Sequence, residues 1–213
     1  MTAMAKDIRH ISWFWMAAAF CASLGLALGA VVVFHTPHMG RLGIALQTSA
    51  RVAFLFFWPA YVGGALTSLF GDVFLPLKKH ARELGLAFAA ALVVHLGFVL
   101  CLYVIGPAPS TRTLIVFGPA AALTYLLAIF SVGAVRQALP RKLWPPVRLV
   151  AMNYIALVFV LDFAQFRSYD FGEGLKYMPF AALAIVGPAL KLAAWAQNNV
   201  KYVFVRLGGA SRP

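Results

Sequence analysis

Six long apolar runs, at about residues 11–34, 43–70, 84–106, 113–135, 147–166 and 177–196, leave this chain few ways to fold. Each reaches the roughly 20 residues an α-helix needs to cross a hydrocarbon core about 30 Å thick. None alternates apolar and polar residues with the period of a membrane barrel strand. Lipid offers backbone N–H and C=O groups no partners, so runs of this kind satisfy them internally as helices. The expected fold is an all-α membrane protein, a six-transmembrane-helix up-and-down bundle forming one domain over residues 1–213. The connections, such as Thr36 to Gly40 and Gly106 to Ser110, carry ordinary turn chemistry and are too short to bury a core of their own. The run from Ile11 to Phe34 exceeds a cleavable signal core and reads as a retained first helix. Beyond Lys191 the chain turns polar through Gln197, Asn198 and Asn199, as a short amphipathic tail does at a membrane surface.

Charge separates this chain from a nucleic-acid-binding protein. The formal net charge is +12, yet only 11% of residues are charged and 62% are hydrophobic. The basic residues fall between the apolar runs rather than along one face, and so act as topology signals. Lys6, Arg9, Lys78, Lys79, Arg82, Arg136, Arg141, Lys142, Arg148, Lys201, Arg206 and Arg212 gather at one side, against Arg41, Arg112, Arg167 and Lys176 at the other. The positive-inside rule then places both termini of this multi-pass protein of the lipid bilayer in the cytoplasm. Trp13, Trp15, Trp144 and Tyr202 on one boundary, and Tyr103, Tyr169 and Tyr177 on the other, fit an interfacial aromatic belt.

Polar groups inside the runs are the candidates for function. Arg51, in the second run, and Asp162, in the fifth, come out at about the same level at 1.5 Å per residue, which predicts an intramembrane ion pair. Such a pair more simply fixes two helices than carries a proton or substrate. Lys191, nearer the basic end of the sixth run, is expected to snorkel to the interface. His95 lies at mid-membrane in the third run. Its ring either donates to a hydroxyl or carbonyl on a neighbouring helix, such as Thr124 or Ser131, or binds a cofactor metal. His35 and His38 flank Pro37 in a connection and read as loop residues; His10 and His80 stand among basic residues at the boundary. Cys21 and Cys101 are not spaced as a disulfide framework or a zinc site. No catalytic nucleophile constellation, phosphate loop or HExxH motif is present, and no flavin or nicotinamide site.

Two segments carry a family likeness. Lys78 to Leu86 followed after eight residues by His95, and then Ser131 to Trp144, resemble the third helix and the fourth connection of the ferric reductase-like transmembrane family. Within that family they are most similar to the haem-binding membrane subunits of bacterial methionine sulfoxide reductase systems. The resemblance implies a haem b with His95 as an iron ligand, receiving electrons from a quinone or cytoplasmic reductase and passing them across the membrane to a periplasmic acceptor protein. It covers most of the chain but departs in the fifth helix. Where the family places a leucine-histidine pair after its tryptophan, this chain has Val147 and Arg148, and the later histidine position falls at Leu161 or Asp162. At the depth of His95 that helix offers Val158 and Phe159, and Met152 lies too near the cytoplasm. Only His95 carries over as a cofactor residue. Two readings follow: an electron-transfer subunit of an oxidoreductase system, and a haem-free scaffold or small-solute transport protein on the same bundle.

Overall fold

The computed structural model describes the backbone of residues 2–33, 40–105, 110–131, 140, 142–164 and 171–209, and the side chains of 12–33, 40–105, 110–131, 140, 142–164 and 177–200. It consists of α1 (Thr2–Val33), α2 (Arg41–Phe70), a 3-10 turn (Asp72–Phe74), α3 (Leu75–Lys79), α4 (Ala81–Ile105), α5 (Thr111–Ser131), α6 (Trp144–Phe163) and α7 (Phe171–Gly209), with no strand among the described residues. Six of these helices contain a stretch long and apolar enough to span a membrane, and each coincides with one of the six apolar runs to within a few residues. The sixth span, Tyr177–Val200, continues without a break into the polar tail, which belongs to the same helix. His35 and His38 lie outside the described residues, as do the side chains of Lys6, Arg9 and His10.

Local chemistry sets several helix ends. The Ser110 hydroxyl accepts the Thr113 N–H at 3.2 Å, capping α5. α6 opens with proline in its first turn, where a missing N–H costs nothing. α2 stops at Gly71, whose φ of +82° lets the chain turn back while its N–H bonds the Thr67 carbonyl at 3.1 Å. That reversal lays α3 along α2 at Gly63, where any side chain would meet the Leu77 backbone at 3.0 Å. Pro59, Pro119 and Pro188 fall inside helices, as the sequence implies.

α2 is the central helix. Half of its spanning window is buried, against 28% at most for any other span. It packs against α1, α4 and α7 and touches α6, while α4 also contacts α1 and α5, α5 contacts α6, and α6 contacts α7. Consecutive spans are therefore neighbours, as in an up-and-down bundle. Between helices already in lipid, packing rather than water exclusion supplies the attraction. Here it comes from rings: Phe54 meets Phe159 and Phe163 edge-on at 5.0 Å, Phe57 meets Phe88 at 5.2 Å and Phe159 at 5.3 Å, and Phe163 meets Phe180 at 5.5 Å. Small residues permit the close crossings. Gly187 of α7 sits where a methyl group would come within 3.3 Å of Tyr61 on α2.

Candidate functional site

His95 faces α2. Its Nδ1 lies 3.0 Å from the Ser49 hydroxyl, and that hydroxyl lies 3.0 Å from the Leu46 carbonyl. Ser49 has no exposed surface. With Ser49 donating to Leu46, the Ser49 oxygen accepts from Nδ1–H, and the neutral ring keeps its lone pair on Nε2. The partner type matches the sequence expectation, but the partners differ. Thr124 and Ser131 turn their hydroxyls onto carbonyls of their own helix, Ala120 at 2.8 Å and Leu127 at 2.7 Å. These short back-bonds satisfy each hydroxyl locally and remove it as a partner for α4.

The chemistry of His95 suits iron through Nε2, with Ser49 and Leu46 as the outer groups that orient such a ring. The sequence expectation that α6 offers Val158 and Phe159 at this depth does not hold: Phe159, locked among Phe54, Phe57, Phe88 and Phe163, meets α4 at Phe88, seven residues or about 10 Å before His95, and α6 carries no histidine among the described residues. Among the described residues, no group of three or more His, Cys, Asp or Glu side chains converges on a common point.

Arg51 and Asp162 come near enough for the guanidinium to act on the carboxylate electrostatically. Among the described residues the ion pair inside 4.0 Å is His80 with Glu83, at 3.9 Å, rather than these two. The Arg51 guanidinium lies instead over the rings of Tyr177, at 4.4 Å, and Phe180, at 5.5 Å. Its Nε and Nη2 are buried and have no hydrogen-bond partner among the described residues. Ring faces thus take the place that direct contact with a carboxylate was expected to fill.

A cavity of about 810 Å³ opens at the end of the bundle where α2 finishes and α4 and α6 begin. Lys78 and Lys79 of α3, Arg82 of α4, Arg148 of α6 and Lys191 of α7 line it, with Phe57, Tyr61, Phe88, Phe130, Trp144 and Trp195 among the apolar wall. No carboxylate is among the described lining residues, and His95 is not one of them. Arg82 is held in place by donating Nε–H to the Ser131 carbonyl at the end of α5, at 3.0 Å.

Lys191 does not reach for the interface as its position in the sequence suggests. Its ammonium is 3.4 Å from Asn153 Oδ1 and 4.3 Å from the centre of the Tyr61 ring, and the Tyr61 hydroxyl donates to the same Oδ1 at 2.9 Å. Arg148 lies close enough to repel it. Two cations lining one space, with no carboxylate among its described lining residues, create a positive potential that a low-dielectric wall concentrates. Nothing local in the sequence joins Tyr61, Asn153 and Lys191, yet their depths carry a signal. Each stands nine residues from the basic end of its span, at Phe70, Trp144 and Val200, hence about 14 Å deep at 1.5 Å per residue.

No family model matches the chain, and neither the curated proteins nor the solved structures contain a match to it.

Proposed function

We propose that this protein is a haem-free bundle of ferric reductase-like type that takes an anionic ligand into its basic cavity from the cytoplasmic side of a bacterial inner membrane. The observation that carries this reading is the cavity lining: five cations on four helices, without a carboxylate among the described residues. The ordinary role of lysine and arginine at this boundary is to set orientation, for which side chains directed into water or headgroups suffice. Turning them into a shared space costs mutual repulsion, which an anion relieves.

Trp144 and Trp195 line the cavity and report on it. In a Trp13→Phe, Trp15→Phe, Trp58→Phe background in neutral detergent, iodide should quench the tryptophan emission several-fold more than caesium. The excess should shrink with added salt and when Arg82 and Arg148 become Gln. Equal quenching by the two ions would remove the basis for an anion site.

A second reading keeps haem b on His95. It is favoured by the Ser49 contact at Nδ1, which leaves Nε2 as the ligand nitrogen. A visible spectrum of the purified protein before and after dithionite separates the two. Colourless protein agrees with the first reading; a reducible haem band that His95→Ala abolishes establishes the second.

A further inference from the structure

The cavity differs from a water-filled solute pore in where its cations stand and in what else forms its walls. Arg82 is the second residue of α4, and Arg148 the fifth residue of α6. Both therefore lie within about 6 Å of the ends of spanning helices, at 1.5 Å per residue, which is the level of lipid headgroups. Lys78 and Lys79 extend this set along α3 at the rim. Below them the wall is largely apolar and aromatic, through Phe57, Phe88 and Leu127, with Lys191 and Tyr61 as the polar groups about 14 Å deep. The lining also includes Leu149 and Trp195, which are 53% and 64% exposed, so apolar side chains of the wall remain open to the surroundings.

We propose that the ligand of this cavity is an anionic glycerophospholipid of the surrounding leaflet, its phosphate held by Arg82 and Arg148 and its acyl chains leaving past Leu149 and Trp195. This rests on the anion-binding reading above and specifies its ligand. A planar guanidinium suits bidentate contact with phosphate oxygens, and Arg82 is already oriented by its bond to Ser131. Basic pockets between helices at a cytoplasmic boundary are the usual form of such headgroup sites. A lipid also fits the mixed wall better than a soluble phosphate ester does, because a soluble ester has nothing to set against the rings and leucines.

The full-length protein, purified in a neutral detergent, is equilibrated with equal amounts of phosphatidylglycerol and phosphatidylcholine and examined by native mass spectrometry, with glycerol 3-phosphate offered separately. Phosphatidylglycerol should be retained at least tenfold over phosphatidylcholine. Arg148→Gln should bring the ratio close to one, and Arg148→Lys should restore part of it, which a mere folding defect would not allow. Equal retention of the two lipids, or selectivity unchanged in Arg148→Gln, overturns the proposal. Binding of glycerol 3-phosphate without lipid selectivity overturns it while leaving the anion site standing; binding of neither probe removes both.

Discussion

Replacing Gly63 by Ala tests how α3 is held, and Gly64 provides a control one residue away. A Cβ at Gly63 would lie 3.0 Å from the Leu77 carbonyl carbon and 3.1 Å from both its oxygen and its Cβ, whereas one at Gly64 meets nothing within 4 Å. Unstrained carbon pairs sit about 3.5–4.0 Å apart, so α3 has to retreat by roughly half an ångström or more. Overpacking of this size costs about 1–3 kcal/mol. Both substitutions gain about 0.5–1 kcal/mol from replacing a helical glycine, and this gain cancels in the comparison. Gly64→Ala should therefore be the more stable variant by about 1–3 kcal/mol, roughly a five- to hundredfold difference in the unfolding constant. Equilibrium unfolding in mixed micelles measures it. Because α3 carries Lys78 and Lys79 to the cavity rim, Gly63→Ala should also reduce the iodide excess in the quenching experiment. Equal stability of the two variants would refute the placement of α3 against α2.

Two further outcomes follow from the polar contacts. In a double-mutant cycle, Ser49→Ala and His95→Leu should show a coupling of about 0.6 kcal/mol and at most about 1.7, the mean and the upper limit of interhelical hydrogen bonds measured within membranes; strict additivity would mean that the 3.0 Å contact contributes nothing. Asn153→Leu leaves both the Tyr61 hydroxyl and the Lys191 ammonium without their shared acceptor, and should cost about 1–3 kcal/mol in the same unfolding assay, more than Tyr61→Phe. A smaller loss in Asn153→Leu than in Tyr61→Phe would show that Asn153 is not the hub.

What could be read from the chain and what could not divides along physical lines. The spans were legible because hydropathy over some 20 residues is a local property, and it is what a bilayer selects. His95 was legible as a polar group out of place, but its partner was not. Thr124, Ser131 and Ser49 are equally plausible hydroxyls until helix rotation is known, and rotation is set by packing between helices. The cavity was hidden for a different reason. Lys78, Lys79, Arg82 and Arg148 each had a sufficient explanation as orientation signals, and Lys191 as a snorkelling residue. Only the assembled bundle directs them into one space. Arg51 stands out in the sequence as a charge inside an apolar run. That the guanidinium would rest on Tyr177 and Phe180 depends on a helix more than 120 residues downstream, and no local pattern encodes that.

The central position of α2 sets an order of events during synthesis. This helix leaves the ribosome second, whereas α4 and α7, against which it packs, follow later, α7 last of all. Until Tyr177 and Phe180 arrive, Arg51 lacks the two ring faces on which it rests in the finished bundle. Assembly is therefore completed from the C-terminal end, and a chain cut short before α7 retains most of its hydrophobic mass while losing the piece that closes around its middle.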